Sequence, residues 1–284
     1  MAVAEAKGRD GPDFSALPEG CIATVVSFTS PPDACRLASV SSIFKSACDS
    51  DAVWASFLPP DWLPMVSRSA SSLKELYFSL CDDPVLVGDG TMVSLPRLAT
   101  LNRLFLFFFY YYYFLCRLRG FSLDRHNGKK CIMLSARALS ITGNDRLIMR
   151  SERALFAEVA ELIKVLWLEI RGTISSRMLS PRTLYAAYLV FKLTGNYNGF
   201  ELPRFEVGAG FVGDEAGKRE RSVVYLSRSY ASRRDGWSEI ELGDFLTKDV
   251  QDGEVEMSVQ DARGNRWMVG LVVEGIEIRP KDRK

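Results

Sequence analysis

The stretch GEVEMSVQD at residues 253–261 shows the alternation of a β-strand most clearly. Val255, Met257 and Val259 occupy every second position, and polar residues occupy the positions between them. Because successive side chains of a strand point to opposite faces of a sheet, this segment predicts one buried face and one solvated face. A strand of this kind is typical of an antiparallel sheet that packs on a core from one side.

Other segments of the C-terminal half also predict strands. The dipeptide NG (127–128) lies between FSLD and CIML and is a strong signal for a short hairpin. WLEIRGTI (167–174) alternates, TLYAAYLVFKL (183–193) is rich in aromatic and aliphatic residues, and a final run (266–280) contains at least one further strand. FAEVAELI (156–163) is the one convincing helical segment here. The pattern favours an antiparallel β-sandwich.

Residues 14–60 have a different pattern, with apolar residues at helical spacing and frequent breaks. Leu17, Cys21, Val25 and Phe28 recur every three or four residues and are predicted to share one helical face. Serine and aspartate residues before the later apolar runs can accept the unpaired amides at three more helix starts. Three or four short helices bury little surface by themselves, so this segment is typical of a docking unit.

Composition and charge exclude several classes of protein. The chain of 284 residues has 36 Lys and Arg against 35 Asp and Glu, and a net charge of +1 predicts no general attraction to nucleic acid or anionic membranes. The first 13 residues lack the apolar region of a signal peptide and predict a solvated tail. The six cysteines have no CxxC spacing, which favours a reducing cytoplasmic or nuclear setting with mostly buried thiols.

An aromatic run, LFLFFFYYYYFL at residues 104–115, is foreign to this pattern. It is shorter than the roughly 20 apolar residues that span a bilayer as a helix, and consecutive tyrosines are unusual at membrane depth. Our hypothesis is that residues 93–119 are an insertion translated from a retained intron, because VS at 93–94 can be encoded by a splice-donor consensus and the Phe/Leu-rich run by a pyrimidine-rich tract before an acceptor. An exposed run of this kind would also promote aggregation. A membrane-anchored protein is the alternative.

The N-terminal segment resembles the F-box. The resemblance rests, in family order, on LP at 17–18, Ile22, PPDA at 31–34, VS at 40–41, Phe44 and SDAVWASFLP at 50–59. It implies that an apolar edge of this unit docks the adaptor of a Skp–cullin–F-box ubiquitin ligase. The resemblance assigns adaptor contacts to Leu17, Pro18, Ile22, Val40, Phe44 and Trp54. A place in the core of the unit is the alternative for the aromatic residues.

The C-terminal segment resembles the phloem-protein-2 or Nictaba-like lectins. The matching blocks, in family order, are KKCIMLSARALSIT, FAEVAELIKVLWLEIRGTI, LSPRTLYAAYLVFKL, DGWSEIELGDFL and DGEVEMSVQDARGNRW, followed by GIEIRP. The resemblance implies a jelly-roll sandwich that binds glycans containing N-acetylglucosamine or related units. It assigns sugar contacts to Glu254 and Asp261, for which a solvated position on the strand is the alternative.

The two stacking tryptophans of those lectins are absent from this chain. In the family they follow an SIT element, whereas residues 140–142 are followed here by GNDRLIM. Loss of stacked aromatic rings costs on the order of a few kcal/mol in a recognition site, so the sequence predicts impaired glycan binding there. Trp167, Trp237 and Trp267 are predicted to pack in or near the core, and the basic stretches 216–222 and 232–235 predict solvated loops.

No motif in the sequence indicates an enzyme. His126 is the only histidine, so a second histidine cannot complete a Cys/His metal set. Phosphate-binding and GxSxG motifs are also missing. We therefore predict a non-catalytic receptor that holds a substrate close to the subunits that transfer ubiquitin. No cofactor, metal, nucleic acid or membrane partner is predicted.

The predicted organisation is α+β, a small all-α unit followed by the sandwich. Its parts are a disordered tail (1–13), an F-box (14–60), a helical linker (61–92), the atypical insertion (93–119) and the lectin-like domain (120–281). The F-box would dock the adaptor, and the sandwich would recruit glycoprotein or protein targets. The alternatives are a carbohydrate-binding lectin without a ligase role and a product with impaired glycan binding.

Overall fold

The computed structural model describes residues 17–61, 70–87, 119–142, 147–151, 155–156, 158–200, 205–213, 221–227, 233, 235–249, 253–262 and 266–281. The predicted tail and residues 93–118 of the predicted insertion lie outside this part of the chain. Internal contacts divide the chain into two units. The first unit holds the helices up to Leu58 together with Ser69–Phe78 and Arg125–Gly128, and the second holds the β-sheets.

Short helices form the first unit. They are α1 (Glu19–Ser27), α2 (Pro31–Leu37), α3 (Ser42–Asp49), α4 (Asp51–Phe57) and the first part of α5 (Leu73–Asp82). Ser30 Oγ accepts the amide of Asp33, and Ser41 Oγ accepts the amide of Phe44, both at 3.3 Å. These N-caps satisfy amides that have no partner inside the helix, and they confirm two of the predicted helix starts.

The core of the first unit is built around Trp54, whose side chain is fully buried. The rings of Phe57, Tyr77 and Phe78 lie 5.6, 5.2 and 5.3 Å from the indole, measured between ring centroids. Aliphatic and small side chains complete this core, namely Ile22, Ala23, Val26, Ala34, Ala47, Cys48, Val53 and Leu58. The helices thus fill their interior with their own side chains.

The second unit contains two antiparallel sheets. In the described part of the chain, one sheet has eight strands, β1 (Val85–Val87), β2 (Arg119–Leu123), β3 (Lys130–Ser135), β5 (Leu147–Ser151), β6 (Glu158–Leu162), β8 (Leu184–Asn198), β11 (Ser238–Leu246) and β13 (Val269–Pro280). The other has five, β4 (Ser140–Thr142), β7 (Glu169–Ser175), β9 (Phe205–Phe211), β10 (Ser222–Val224) and β12 (Glu254–Asp261). The strands are numbered in chain order.

Strand β13 lies at the centre of the larger sheet. That sheet runs β1-β2-β3-β13-β6-β5, with β8 paired to β13 and β11 paired to β8. Ile278 of β13 pairs with Ile132 of β3, Leu271 with Leu162 of β6, and Val273 with Phe191 of β8. The smaller sheet runs β10-β9-β12-β7-β4.

The inner faces of the two sheets pack on each other. A Cβ added at Gly172 of β7 would lie 3.2 Å from Leu134 Cδ1 of β3, so the two sheets approach closely there. The rings of Phe211 in β9 and Phe245 in β11 meet edge to face at 6.0 Å. Val255, Met257 and Val259 are completely buried, as their alternation predicts. The predicted antiparallel β-sandwich is confirmed.

Local predictions in this unit have mixed outcomes. The hairpin at residues 127–128 is confirmed, because β2 and β3 pair around it and Gly128 has a φ of 67°. The helix predicted at residues 156–163 is wrong. Glu158–Leu162 is strand β6, paired with β5 and β13. Pairing within the sheet outweighs the helix propensity of its alanine and glutamates, and Val159 and Ala160 on opposite faces are both buried.

Candidate functional sites

An exposed apolar surface runs along helix α1 of the first unit. Val25 is 56% exposed, Phe28 is 86% exposed and Leu17 is 42% exposed, and Cys21 is also exposed. These are the four residues predicted to share a helical face, and each of them faces solvent. Phe28 ends the helix, where its amide donates to the carbonyl of Val25 at 3.2 Å.

A polar contact joins α1 to α3. Ser46 Oγ donates a 2.8 Å hydrogen bond to Glu19 Oε1. The buried residues of α1, Ile22, Ala23 and Val26, occupy positions between the exposed apolar ones. The helix therefore has one apolar side in the core of the unit and a second apolar side on its surface. We name the exposed residues Leu17, Cys21, Val25 and Phe28 the α1 surface.

The residues assigned to adaptor contact divide into two groups. Leu17, Pro18 and Val40 are exposed and Phe44 is half-buried, so these side chains are accessible. Ile22 is 2% exposed and Trp54 is fully buried. A direct contact of these last two with an adaptor is therefore not supported, because both side chains already fill the core. The core alternative is the right one for Trp54.

The two acids assigned to sugar contact do not lie together. Glu254 and Asp261 are seven positions apart on β12, a distance of roughly 23 Å at the usual rise per strand residue. An odd separation also places them on opposite faces of the strand. Glu254 pairs with Ser175 at one end of β7, whereas Gln260, next to Asp261, pairs with Glu169 near the other end. The described geometry therefore forms no single site from these carboxylates.

Asp261 lies at the end of the smaller sheet where the SIT element finishes. Thr142 of β4 pairs with Glu169, and Glu169 pairs with Gln260 on its other side. The amide of Asp261 donates to the carbonyl of Leu168 at 2.8 Å. Glu169 forms a 2.5 Å ion pair with Arg171 on the open face. The residues that follow Thr142, 143–146, lie outside the described part of the chain.

The three tryptophans of the sandwich differ in their surroundings. Trp237 is 1% exposed, which confirms its predicted core position. Trp167 and Trp267 are 40% and 48% exposed, so neither lies in the core, and of the predicted place in or near the core only a position near it is compatible with their exposure. Both lie in or beside a short bridge between Val165 and Met268 at the end of the strands. The ammonium of Lys164 lies 4.6 Å from the centre of the Trp267 ring.

A cavity of about 520 Å³ opens on the outer face of the eight-stranded sheet, the face turned away from the smaller sheet. Its lining residues are Pro84, Gly120, Ser122, Cys131, Ile132, Met133, Leu155, Arg233, Asp235, Trp237, Glu274 and Glu277. A hydrophobic cluster lies beneath it, formed by Met133, Phe156, Val159, Val190, Trp237 and Val272. The larger sheet is thus buried on both faces in this region. No pattern in the sequence predicts this cavity.

An ion network borders the cavity. Arg233 pairs with Glu277 and with Glu239, the latter at 3.1 Å. Arg279 pairs with Glu239 at 2.6 Å and with Glu277 at 3.1 Å, and its guanidinium lies 3.8 Å from the centre of the Tyr188 ring. Hydrogen bonds from Arg279 lower the pKa of Glu239. The solvated loop predicted at residues 232–235 is therefore wrong for Arg233, which is three-quarters buried.

Glu274 is a buried carboxylate in the wall of the cavity. It is 3% exposed, and its Oε1 accepts the amide of Leu155 at 2.8 Å. Burial raises the pKa of this carboxyl because the charged form loses its hydration. Periodic charges on β11 and β13, at Glu239, Glu277 and Arg279, are the one sequence signal for a polar site on this face.

Comparison with known proteins identifies the family. The family model described as F-box domain matches residues 14–56, and the one described as phloem protein 2 matches residues 129–280. The chain belongs to the phloem protein 2 family of F-box proteins. This F-box protein is 38% identical to F-box protein PP2-B10 of Arabidopsis thaliana, with 94% of each chain covered. It is also 38% identical to F-box protein SKIP3 of the same plant, over 94% of this chain and 88% of the relative.

Two carbohydrate-binding modules of known structure resemble part of this F-box protein at low sequence identity. A family 35 carbohydrate binding module from Clostridium thermocellum matches 52% of this chain and 96% of its own length, at 10% identity and a TM-score of 0.33. The CBM22-1 xylan-binding domain from Paenibacillus barcinonensis Xyn10C matches 53% of this chain and 90% of its own length, at 9% identity and a TM-score of 0.32. Likeness at this level says nothing about ligands.

In the described part of this F-box protein, no group of three or more His, Cys, Asp or Glu side chains is arranged to hold a metal ion. No described helix is long and apolar enough to cross a membrane. The five cysteines of this part are free thiols. Cys48 and Cys131 are buried, Cys81 is half-buried, and Cys21 and Cys35 are exposed, so the prediction of mostly buried thiols is wrong here.

Proposed function

We propose that this chain is the substrate-recognition subunit of a Skp–cullin–F-box ubiquitin ligase and that its α1 surface binds the adaptor. The observation that carries the proposal is the exposure of Val25 and Phe28 on a helix that already buries Ile22 and Val26. Each large apolar side chain that an adaptor covers would contribute about 1.5–3 kcal/mol. The F-box match at residues 14–56 supports the same role.

Val40 and Ile43 extend the apolar character of this unit beyond α1. Val40 is 65% exposed and Ile43 is 38% exposed. Phe44, which follows Ile43 in α3, is half-buried. An amphipathic helical edge laid in a groove is a common mode of protein recognition. Leu17, Pro18, Val40 and Phe44 therefore remain our proposed contact residues, joined by Val25 and Phe28, whereas Ile22 and Trp54 support the unit from inside.

The chain would work by proximity and not by catalysis. A receptor that holds a target near a charged transfer enzyme raises the effective concentration of the target's lysines. The cullin and the transfer enzyme would carry out the chemistry. The sandwich would recruit glycoprotein or protein targets, with glycans containing N-acetylglucosamine as the family-implied class. We place this activity in the cytoplasm and nucleus.

A co-purification experiment tests adaptor docking. The full chain carrying Val25→Glu and Phe28→Ser is expected to recover a Skp-type adaptor at least about tenfold less well, because a charge and a hydroxyl replace apolar contact area. Both positions are exposed, so the thermal unfolding midpoint should not fall. Val223→Glu is the matched control, since Val223 is 59% exposed on strand β10, close to the 56% of Val25.

The outcome separates the receptor from a free-standing lectin. Adaptor recovery that is equal in the double variant and the control would contradict docking through the α1 surface. If the wild-type chain recovers no adaptor but binds glycans, the alternative of a carbohydrate-binding protein without a ligase role is supported instead. If it recovers adaptor and binds no glycan, the sandwich is a receptor for protein targets.

A further inference from the structure

The cavity on the eight-stranded sheet has an excess of negative charge in its lining. Among the described residues, the lining holds the carboxylates of Asp235, Glu274 and Glu277 but a single guanidinium, that of Arg233. Its volume of about 520 Å³ falls within the roughly 300–1,000 Å³ of pockets that hold small organic groups. A cleft lined by charges of one sign raises the local concentration of counter-ions, so this lining favours a cation over an anion.

The guanidinium of Arg233 is already shared among three carboxylates. Its Nε donates to Asp235 Oδ2 at 3.2 Å, and its Nη1 donates to Glu239 Oε2 at 3.1 Å and to Glu277 Oε2. Arg279 pairs with the same two glutamates, Glu239 and Glu277. Two positive charges thus face three negative ones, so this network has no positive charge to spare for a further acid.

Glu274 is that further acid, and it lies 3% exposed in the wall of the cavity. Its Oε1 accepts the amide of Leu155 at 2.8 Å. Within the described part of the chain, its Oε2 accepts no hydrogen bond and neither oxygen forms an ion pair. The ammonium of Lys192 lies 4.1 Å from the centre of the Trp237 ring and does not pair with this carboxylate. A carboxylate kept from water is costly to ionise unless a positive group lies beside it, so Oε2 marks a place for a cation.

Carbon surface adjoins these acids. Gly120 of β2 contributes no side chain to the cavity, and atoms of Leu155 and Met133 lie 2.8 and 3.4 Å from the place that its Cβ would take. Leu155 is half-buried and Pro84 is exposed, so both present carbon surface to the cavity. Long basic side chains lay an apolar stem along such surface and keep the charged head with polar partners. The lining therefore matches a cationic head on a short aliphatic stem.

Two more acids extend the negative charge toward solvent. Asp82 and Asp83 directly precede Pro84, are exposed, and belong to the same unit as the sheets. Exposed charges of this kind steer an oppositely charged partner toward a site, and salt screens them.

We propose that this cavity binds an organic cation, an ammonium or guanidinium head carried on a short aliphatic stem. The head would donate to Glu274 Oε2 and to the more exposed carboxylate of Asp235, and the stem would contact Leu155 and Pro84. A basic side chain of a protein and a free amine share this chemistry. For a basic side chain the inference rests on the proposed receptor role, because a recruited target would supply it.

Two variants of the full chain test the site. Glu274→Gln keeps an acceptor for the Leu155 amide and removes the charge, whereas Ser122→Leu adds an apolar side chain to the cavity from β2 and removes no charged group. Glu241→Gln is the matched control. It removes one negative charge from the same face of the sheet, opposite Tyr188, at a position that does not line the cavity.

Small probes separate charge from shape. The free cations are n-butylammonium and n-butylguanidinium, with n-butanol as the neutral molecule and butyrate as the anion of similar size. The peptide probes carry one lysine or one arginine between glycines, with acetylated lysine as the neutral counterpart. Saturation-transfer NMR detects binding, and titration followed by NMR gives the dissociation constant of each probe.

We expect at least one cationic probe to bind the wild type and Glu241→Gln, at least tenfold weaker binding to Glu274→Gln, and none to Ser122→Leu. Neutral and anionic counterparts should bind at least tenfold more weakly than the cation. The thermal midpoint of Glu274→Gln should not fall below that of the wild type, so unfolding would not explain its weaker binding. No binding of any cation, equal binding of a cation and its neutral counterpart, or equal losses in Glu241→Gln and Glu274→Gln would overturn the proposal.

The two sources of the cation, and failure of the receptor role, give different results. A basic peptide that binds more tightly than the free cation identifies a protein side chain, and the opposite order identifies a free amine. A wild-type chain that recovers the adaptor but binds no cationic probe overturns the cavity proposal and leaves adaptor docking in place. A chain whose cation binding depends on Glu274, yet which recovers no adaptor, supports the cavity proposal and removes the ligase role.

Discussion

The indole Nε1 of Trp54 donates a 2.7 Å hydrogen bond to the backbone carbonyl of Cys48, inside the first unit. Trp54→Phe would leave that carbonyl without its donor, which costs about 1–3 kcal/mol in a buried place. We expect amides of α3 and α4 to exchange hydrogen faster in the variant, measured by mass spectrometry of peptides. Peptides from β12 serve as the internal reference. If α4 exchanges hydrogen equally fast in the wild type and in Trp54→Phe, the hydrogen bond of Trp54 does not stabilise this unit.

The stability of the sandwich should depend on the ionisation of Glu274. Its pKa is raised in the folded state, so the folded chain binds this proton more tightly than the unfolded chain does. The favourable contribution is complete below the ordinary glutamate pKa of 4.5 and is lost as the pH rises through the folded value. Glutamine does not ionise, so Glu274→Gln avoids the cost of a buried charge at this position. The variant should therefore have a higher free energy of unfolding than the wild type at pH 7.5.

The measurement is the difference in urea midpoint between wild type and Glu274→Gln at several pH values. Other acids titrate equally in both proteins and cancel in the difference. We expect the advantage of the glutamine variant to shrink as the pH falls toward 4.5. A difference that stays constant with pH would mean that Glu274 keeps an ordinary pKa in the folded chain.

Two glycines of the larger sheet should respond differently to alanine. A Cβ at Gly275 of β13 would lie 1.9 Å from the carbonyl oxygen of Leu134, a backbone atom that cannot move aside cheaply. Gly195 of β8 has no atom within 4 Å of the added Cβ. Gly275→Ala should therefore lower the free energy of unfolding by about 3 kcal/mol, and Gly195→Ala should leave it nearly unchanged. Denaturant unfolding of both variants checks this, and similar losses would contradict it.

Lys130 and Asp61 form an unequal ion pair within the second unit. The lysine side chain is 5% exposed, the aspartate side chain is 47% exposed, and Nζ lies 2.6 Å from Oδ2. Asp61→Asn leaves a buried ammonium without its counter-charge, whereas Lys130→Met removes the buried charge itself. We expect the first change to destabilise by about 2 kcal/mol, below the value for a fully buried pair, and the second to cost less.

The backbone of Lys130 makes this comparison clean. Its amide donates to Ser180 Oγ at 3.1 Å, and its carbonyl accepts from the hydroxyl of Tyr185 at 2.9 Å. Neither bond depends on the side chain at position 130, so methionine should keep the strand in place. Thermal midpoints provide the measurement. If Lys130→Met lowers the thermal midpoint more than Asp61→Asn does, the unpaired buried ammonium of Lys130 is not the main source of destabilisation.

The sequence predicts best the segments that are buried on one face only. Strand β12 alternates cleanly because Val255 faces the core and Glu254 faces solvent. Strand β6 was mistaken for a helix because a second hydrophobic layer covers its outer face at Val159, which removes the alternation. The spacing of Val25 and Phe28 indicated their common side, but spacing alone does not tell whether an apolar side is buried or left for a partner.

The cavity could not be predicted, because its wall comes from distant parts of the chain. Gly120, Arg233 and Glu274 meet only through the order of strands in the larger sheet. Glu254 and Asp261 show the opposite case. Seven positions apart on one strand, they lie roughly 23 Å apart and on opposite faces, because a strand is extended and its side chains alternate, so each remains a separate predicted sugar contact.

The central place of β13 sets the order in which this protein can be made. The ribosome synthesises this strand last among those described, yet β3, β6 and β8 all hydrogen-bond to it. The larger sheet therefore stays incomplete, with unpaired strand edges, until residues 269–280 have left the exit tunnel. The first unit draws mainly on contacts near in sequence and can form much earlier. A premature stop before β13 would thus release the helices of the first unit together with an incomplete larger sheet.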